Sequence, residues 1–555
     1  MTALRRHRAL LLAVVGGLVF ALSSPPTDIY PAVIVGLALL AASLADVAQG
    51  IGPSPSPASR WPEPPGFFRA FGRGAAWGTA AGVVGLRFVP AVIQRFTPLG
   101  SAASYLALVL LAAGQSLIWA IGAGVAAALH RRARVPFELA FATGILVSLS
   151  LPSIFAWSPA GLVSPWPAFV QLADVIGERG VSVIFAVVAA LLTRAAFALA
   201  SGPTRRAALR PALAAAAILL ALGVHGALRM ASITRASASL PTLRVGLVDH
   251  AVKPLDRWNP ANHAVILRSL RMLTRKLEAE GAELTVWPEG AYPYQLSHDA
   301  REAPRGRRAI VGAGVRGPLL IGLITEEHPT TLVSGEIERN VYNSATVILP
   351  DGSMEAPYDK LQLLWFGEMV PGGAQLPWLR RQFQRSGGLI PGVEPRALVL
   401  PAPGAHDSVA PRLAVLNCYE DTLPEVGRRL AGSLAPNLLV NITNDAWFYA
   451  TAEPELHARL AAMRAIELRR DLVRSVNLGV TSWIDAAGVV RGRYAEQEAG
   501  TLLASPALRE GPPTLYARFG DKPVFALLAA AALVFAWRSR KASAPTGEGA
   551  GPRVG

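Results

Sequence analysis

The sequence predicts a multi-pass α-helical membrane bundle joined to an extramembrane α/β domain. Of its 555 residues, 52% are hydrophobic and only 16% are charged, whereas a soluble chain is usually about a quarter charged. The apolar residues are concentrated in 8–232 and in 521–537, while 243–512 has the mixed composition of a globular domain. These two observations place most of the apolar residues in a membrane and one large segment outside it.

The bundle is predicted to have about eight spans, because about 20 mostly apolar residues are needed to cross a bilayer. The first stretch follows three arginines, as in a signal peptide, but no A-x-A cleavage site precedes Pro25 and Pro26. Another apolar segment follows at once, so we expect a retained helix. The predicted spans are 8–23, 28–46, 75–93, 103–128, 136–156, 182–201, 211–229 and 521–537.

The orientation of the bundle follows from the basic residues in its short loops. With eight spans, every basic cluster falls on one side, which the positive-inside rule makes cytoplasmic. We therefore expect both termini in the cytoplasm and the segment 230–520 on the periplasmic side of a bacterial inner membrane. The net charge of +15 is then explained by the basic residues of the cytoplasmic loops, and we expect no nucleic-acid partner. The clusters are Arg5, Arg6 and Arg8; Arg60, Arg69 and Arg73; Arg131, Arg132 and Arg134; Arg205, Arg206 and Arg210; and Arg538, Arg540 and Lys541.

The chain divides into four predicted parts. Residues 1–235 form a transmembrane domain of about seven spans, and 236–515 form the extramembrane domain, which is long enough to bury its own core. A final transmembrane helix covers 516–540, and 541–555 is a cytoplasmic tail. The Pro- and Ser-rich stretch 52–66 is typical of a linker.

The extramembrane domain alternates predicted strands with helices, which is typical of a layered α/β fold. Apolar residues recur at helical spacing in 261–280 and again in about 454–470. Short apolar runs that end in polar or turn residues predict the strands. These strands are 242–249, 283–287, 319–325, 343–349, 412–417, 437–443, 473–477 and 480–485.

Three predicted strand ends carry residues that together suit acyl transfer, namely Glu289, Lys360 and Cys418. A carboxylate can take the thiol proton, the thiolate can attack a carbonyl, and an ammonium can offset the charge of the oxyanion. A neighbouring lysine also favours the thiolate over the thiol. Considered alone, Cys418 is more typical of an inert buried thiol. It is the single cysteine of the chain and so forms no internal disulfide.

No other motif predicts a cofactor or a metal, and we expect neither. The stretch 312–317 fits G-x-G-x-x-G, but Pro318 and an apolar strand follow where a dinucleotide site needs a helix. The sequence contains no H-E-x-x-H, no paired C-x-x-C and no G-x-S-x-G. His457, on the second long helix, is predicted to be a surface or packing residue.

Four motifs in a fixed order resemble a known family: W-P-E at 287–289, Y-x-K-x-x-L-x-x-F-G-E at 358–368, C-Y-E at 418–420 and N-D-A-W-F at 444–448. The chain resembles the apolipoprotein N-acyltransferases, which are membrane-embedded members of the nitrilase, or carbon-nitrogen hydrolase, superfamily. The resemblance covers nearly the whole length. It implies that the extramembrane domain is a nitrilase-like αββα sandwich.

The resemblance also implies roles for individual residues. Glu289 would be the general base, Lys360 the oxyanion stabiliser and Cys418 the nucleophile. The supporting residues that match the family are Trp258, Glu368, Tyr419 and Glu420. Packing aromatics remain an alternative for the tryptophan and the tyrosine, and a solvated carboxylate remains one for Glu420.

The activity implied by the resemblance is a two-step acyl transfer. Cys418 would take an acyl chain from a phospholipid as a thioester and pass it to the α-amino group of a diacylglyceryl-cysteine at the N-terminus of an apolipoprotein. The implied partners are the phospholipid donor, the diacylated apolipoprotein and the membrane. We expect the protein to be a monomer.

The sequence departs from the family pattern in two places. Trp365 stands where a proline usually precedes the F-G-E motif, so the nearby loop is expected to differ. The region 139–160 lacks the expected Glu-Trp-x-Arg and Phe-Pro-Trp sequences, so its membrane-side contacts are expected to differ too. The segment 363–398, which is rich in Leu, Trp and Gly, is predicted to be a mobile lid facing the membrane.

Two other functions remain open from the residues alone. A membrane-tethered amidase or nitrilase would use the same three residues with water as the acceptor, and would act on a small soluble amide or nitrile. A transport or assembly protein would carry the outer domain as a non-catalytic binding module, and its function would survive Cys418→Ala. Few charges occur inside the spans, which argues against an ion pathway.

Overall fold

A computed structural model of the protein describes residues 2–45, 65–200, 205–312, 314–331, 337–365, 367–370, 375, 388–401 and 409–542. Most of the predicted linker at 52–66, much of the predicted lid at 363–398 and the predicted tail after Ala542 lie outside these ranges. Helices and strands occupy the described part in the order that the sequence predicts: apolar helices first, then an α/β domain, then one last helix.

The N-terminal part is helical, and an apolar helix coincides with each span predicted before residue 230. Among the described residues, three helical stretches are long and apolar enough to cross a membrane: Ser101–Ala133, Ala173–Ala200 and Arg206–Ser237. Two further helices, Phe67–Gly85 and Val89–Phe96, are bent by 58° at a short break and would together make a fourth span. The total of eight spans therefore stays a prediction. The helices are α1 (Thr2–Ala21), α2 (Ala32–Leu44), α3 (Phe67–Gly85), α4 (Val89–Phe96), α5 (Ser101–Gln115), α6 (Leu117–Ala133), α7 (Phe137–Ser150), α8 (Pro159–Leu162), α9 (Ala173–Ala200) and α10 (Arg205–Ser237).

Small residues allow the helices of this part to pack closely. A Cβ atom added to Gly122 of α6 would lie 2.0 Å from Ser148 Oγ and 2.3 Å from the carbonyl oxygen of Gly144, both on α7. Close approach of two backbones helps helices to associate in lipid. Burial of apolar surface does not favour association there, because the lipid tails are themselves apolar. The α6–α7 contact therefore depends on the missing side chain of Gly122.

The α/β domain contains the strands and helices that follow α10. The predicted strands and both predicted long helices are present, with bounds that differ by a few residues. The elements are β1 (Val245–Asp249), α11 (Pro254–Arg257), α12 (His263–Ala279), β2 (Leu284–Val286), β3 (Leu296–Ser297), β4 (Leu319–Glu326), β5 (Thr330–Thr331), β6 (Ile337–Glu338), β7 (Val341–Ile348), β8 (Tyr358–Asp359), β9 (Ala397–Val399), β10 (Arg412–Asn417), α13 (Pro424–Leu434), β11 (Leu438–Asn444), α14 (Glu453–Leu468), β12 (Leu472–Asn477), β13 (Thr481–Ile484), β14 (Val490–Tyr494), β15 (Gly500–Ala504), α15 (Leu515–Phe519) and α16 (Lys522–Ala542).

Two sheets form the centre of this domain. Within the described ranges, one sheet has the order β15-β1-β2-β4-β7-β8, with β3 added beside β4, and the other has the order β14-β13-β12-β11-β10-β9. Their inner faces share one apolar core, and Ser475 Oγ on β12 lies 2.8 Å from the carbonyl oxygen of Val248 on β1. Helix α12 packs outside the first sheet, and α13 and α14 pack outside the second. This is the αββα sandwich that the resemblance implies.

Buried ion pairs join the α/β domain to the helical part. Arg464 of α14 lies 2.6 Å from Glu178 of α9 and 3.0 Å from Glu467, and its side chain is fully buried. Arg469 contacts Asp174, also on α9, at 2.8 Å. Charges buried in this way are strongly destabilising if one partner is removed. The orientation of α14 against α9 is therefore fixed by charge as well as by packing.

We predict that Gly122→Val destabilises the protein through the α6–α7 contact. Overpacking a close contact costs about 1–3 kcal/mol or more, so the melting temperature in detergent should fall by several degrees. Gly114→Val is the matched control, because a Cβ at Gly114 of α5 meets nothing within 4 Å. Equal melting temperatures for the two variants would contradict the close packing of α6 on α7.

Candidate active site

The three strand-end residues predicted from the sequence lie together in the structure. Glu289 follows β2, Lys360 follows β8, and Cys418 follows β10. Lys360 Nζ lies 3.1 Å from Glu289 Oε1, and both charged groups act electrostatically on the Cys418 thiol. The α/β fold therefore brings a carboxylate, an ammonium and a thiol from three separate strand ends to one place.

Glu289 is held on both of its oxygens. Oε1 accepts a hydrogen bond from the Asn343 amide at 2.7 Å, and Oε2 accepts one from the backbone N–H of Asn444 at 3.0 Å. The backbone of Glu289 passes directly over Gly322 of β4, where an added Cβ would lie 2.7 Å from Glu289 Cα. Two hydrogen bonds and a close backbone approach thus fix the carboxylate.

Lys360 is buried, with only 1% of its surface exposed. Besides Glu289, its ammonium contacts Glu368 Oε2 at 2.8 Å. The Asn343 amide nitrogen donates to Glu368 Oε1 as well, at 2.7 Å. Asn343 therefore bridges the two carboxylates that flank the ammonium. We did not predict this role; the available signal was an asparagine at the start of the predicted strand 343–349.

Cys418 begins a short 3₁₀ helix, Cys418–Thr422, directly after β10. Its φ of 57° lies in the left-handed region, which non-glycine residues seldom adopt. The Asn441 side-chain amide donates to the carbonyl oxygens of Leu416 at 3.0 Å and of Cys418 at 2.9 Å. The strained turn is therefore held from the neighbouring strand, β11, and it presents a half-buried thiol.

The electrostatics of the site favour the neutral thiol. Burial raises the pKa of Cys418 well above its usual value, the carboxylate of Glu289 raises it further, and the ammonium of Lys360 opposes both. The pKa of Lys360 would be lowered by burial, but the negative groups around it raise it well above its usual value. Lys360 thus acts in the expected direction, towards the thiolate, but burial and the carboxylates outweigh it. The arrangement requires a base for the thiol, and Glu289 is beside it.

Glu420 stabilises the turn 418–422, here called the nucleophile turn, so the alternative that Glu420 is a solvated carboxylate is wrong. Its carboxylate is fully buried and accepts hydrogen bonds from the Tyr358 hydroxyl at 2.7 Å and from the backbone N–H groups of Leu361, Gln362 and Asn417 at 2.7–3.0 Å. Burial raises its pKa to about 7. These contacts connect the segment after Lys360 to the strand end before Cys418.

The two predicted aromatic residues have different surroundings. Tyr419 follows Cys418, and its ring centre lies 5.9 Å from Lys360 Nζ, so it borders the charged cluster. Trp258 is 42% exposed and lies 5.5 Å from the ring of Trp447 and 6.1 Å from that of Phe96 on α4. Trp258 thus belongs to an aromatic group between the two parts of the protein.

Cavities beside Cys418 are walled by the divergent stretch of the helical part. A narrow cavity of about 40 Å³ is lined by Cys418, Phe88, Phe448 and residues 154–157. A larger one, of about 290 Å³, is lined by residues 148–154 and 156–158 together with Tyr419. Trp365, which stands where the family usually has proline, also lines the larger cavity. Both predicted departures therefore lie at the site.

His457 is buried, with 4% of its surface exposed, so of the two predicted alternatives it is a packing residue and not a surface one. Nε2 lies 2.9 Å from Asp421 Oδ1, and Nδ1 lies 3.0 Å from Asp445 Oδ1. Burial would lower the pKa of His457, but the two carboxylates raise it well above its usual value. His457 therefore ties the nucleophile turn to the segment that follows Asn444.

Among the described residues, a group that overlaps with this one could hold a metal ion. One ligand atom each from Asp445, Glu453 and His457 lies within 4.8 Å of the others. A metal needs a neutral imidazole nitrogen with a free lone pair. Both nitrogens of His457 face carboxylates, so we interpret the group as an ion pair.

Comparison with known proteins identifies the class and then the family. Residues 244–509 match the carbon-nitrogen hydrolase family, so the outer part is a domain of that class. The chain is 33% identical to an apolipoprotein N-acyltransferase of Bradyrhizobium diazoefficiens over 498 residues, which cover 84% of this chain and 80% of that one. It is 31% identical to one of Geobacter metallireducens (72% and 76%) and 28% identical to one of Pseudomonas syringae (95% and 96%). The chain belongs to the apolipoprotein N-acyltransferase family, as its motifs indicated.

We predict opposite shifts in the alkylation of Cys418 when its two charged neighbours are neutralised. Glu289→Gln removes a negative charge, lowers the pKa of the thiol and moves the alkylation profile with iodoacetamide to lower pH; Lys360→Met moves it to higher pH. Glu302→Gln, whose side chain is 77% exposed, should change nothing. Shifts in the same direction would show that these charges do not control the thiol.

We predict that His457→Asn destabilises the protein by roughly 3–5 kcal/mol, because the buried Asp445 loses its cation, whereas Asp421 keeps its ion pair with Arg474 at 3.1 Å. Since the pKa of His457 is raised on folding, the stabilisation is complete below the unfolded pKa of about 6.5 and is lost as the pH rises through the folded pKa. The difference in melting temperature from the wild type should therefore be largest at mildly acidic pH and narrow at alkaline pH. The exposed His328→Asn is the control. A difference that widens with pH would contradict the imidazolium.

Proposed function

We propose that this protein transfers an acyl chain from a phospholipid, through a thioester on Cys418, to the α-amino group of the N-terminal diacylglyceryl-cysteine of apolipoproteins. The observation that carries the proposal is the cluster of Glu289, Lys360 and Cys418 beside a cavity walled by the helical part. Membership of the family supports the same reaction. A transferase for two lipid-anchored substrates needs its nucleophile next to a membrane-embedded surface.

In the first step, Glu289 takes the proton of the Cys418 thiol while the sulfur attacks the ester carbonyl of the phospholipid. The C–S bond forms, and the carbonyl π electrons move to oxygen. The ammonium of Lys360 offsets the charge on that oxygen. When the C–O bond breaks, the proton held by Glu289 passes to the leaving oxygen, which leaves a thioester and a lysophospholipid.

In the second step, the α-amine of the diacylglyceryl-cysteine attacks the thioester carbonyl. Glu289 takes a proton from the amine and returns it to sulfur as the C–S bond breaks. The products are an amide and the free thiol of Cys418. Glu368 and Asn343 would hold Lys360 and Glu289 in place through both steps, since they contact these two groups directly.

The proposal includes a location. The apolar helices would lie in a bacterial inner membrane with the α/β domain on the periplasmic side and both termini in the cytoplasm, as the distribution of arginine indicates. The acceptor and the donor would then reach Cys418 from the outer leaflet. The amidase alternative has no support from the relatives, which are named as N-acyltransferases.

The test is to trap the acyl-enzyme. Incubation with phospholipid vesicles should give an acyl adduct that hydroxylamine removes, and its site is unambiguous because Cys418 is the single cysteine of the chain. Glu289→Gln should slow formation of the adduct by about 100-fold or more, while Glu302→Gln should leave it unchanged. Hydrolysis of soluble amides without any lipid-dependent adduct would overturn the proposal in favour of the amidase.

A further inference from the structure

Helix α4, the short arm of the bent helix pair, ends against the α/β domain through Arg95. The guanidinium of Arg95 donates hydrogen bonds to the carbonyl oxygens of Trp447 at 2.8 Å and of Tyr449 at 3.1 Å. Its central carbon also lies 3.8 Å from the centre of the Tyr449 ring. A single arginine can make two hydrogen bonds and a stacking contact at the same time, whereas a lysine cannot.

The backbone that Arg95 holds is continuous with the segment that positions the proposed base. Asn444, whose N–H donates to Glu289 Oε2, stands three residues before Trp447. A ring contact adds to these hydrogen bonds, since the ring centres of Phe96 and Trp447 lie 4.6 Å apart. The same segment contains Ala450 with a φ of 59°, a conformation that an alanine adopts only when its surroundings impose it. The geometry of 444–450 is therefore held from α4.

We infer that Arg95 is a positioning residue for the reaction: it fixes the 444–450 segment, and through the Asn444 N–H it fixes Glu289 against Cys418. The inference rests on the proposed function for its kinetic consequence. Arg95 touches neither the thiol nor the ammonium, so it acts through another group. A displacement of about 1 Å in a catalytic group can cost about 100-fold in rate. The position of α4 would thereby determine whether Glu289 can act as the base.

The experiment compares Arg95→Ala and Arg95→Lys with Arg87→Ala. Arg87 stands at the break between α3 and α4 and donates to the carbonyl oxygen of Pro25 at 2.6 Å, so it is a matched arginine that does not reach 444–450. We expect the rate of thioester formation to fall about 10- to 100-fold in Arg95→Ala, with an unchanged KM for the phospholipid. Arg95→Lys should recover only part of the rate, and Arg87→Ala should match the wild type.

A double-mutant cycle makes the inference independent of the acyl-transfer assay. Arg95→Ala should move the pH profile of Cys418 alkylation in the wild-type background and leave it unmoved in the Glu289→Gln background, because its effect passes through Glu289. Equal shifts in both backgrounds would overturn the inference. So would a raised KM with unchanged kcat, which would indicate contact with lipid, or a lower melting temperature with neither readout changed. A lack of acylation in every variant, including the wild type, would instead count against the proposed function.

Discussion

The ammonium of Lys360 is the charge around which the site is built. Burying an ammonium costs several kcal/mol unless it is paired and hydrogen-bonded, and this one is 1% exposed. Glu289 and Glu368 flank it at 3.1 and 2.8 Å, and Asn343 joins the two carboxylates. The requirement to pair one charge therefore holds the ends of β2 and β8 and the start of the predicted lid together. Without that pairing, Glu289 would lose one of the contacts that place it beside the thiol.

The helical part contributes to the site in two ways: it lines the cavity, and it holds a neighbouring segment in place. Residues 154–157 close the cavity at Cys418, and Arg95 holds the segment next to Glu289. The buried ion pairs of Arg464 and Arg469 with α9 set the distance between the two parts. An outer domain released from the helices would lose the residues that wall the cavities beside Cys418. The two parts are therefore one functional unit.

The sequence predicted the parts of the site that depend on local pattern. Glu289 and Cys418 were located because each closely follows a short, mainly apolar run that predicts a strand, and polar residues at strand ends lie at the edge of a sheet. The roles of Asn343, His457 and Arg95 were not predicted. Their contacts join residues tens to hundreds of positions apart, or use backbone carbonyls that carry no sequence signal. The size of the lysine's effect relative to burial and to the carboxylates was not predicted either, because burial depends on the folded structure.

The charge of the cluster gives a reason for the neutral thiol. With the thiol protonated, the cluster has two carboxylates and one ammonium, so it already has an excess of negative charge. A thiolate would add to that excess in a cavity with little room for water, which is unfavourable at low dielectric constant. Proton transfer to Glu289 during the attack avoids this, because the base is then neutral and the second negative charge lies on the oxyanion beside Lys360. After the proton has passed to the leaving oxygen, the acyl-enzyme has two carboxylates and one ammonium, as before the reaction. In the proposed reaction, the charge is therefore better balanced in the acyl-enzyme than it would be with a free thiolate. The base must act during the attack and not before it.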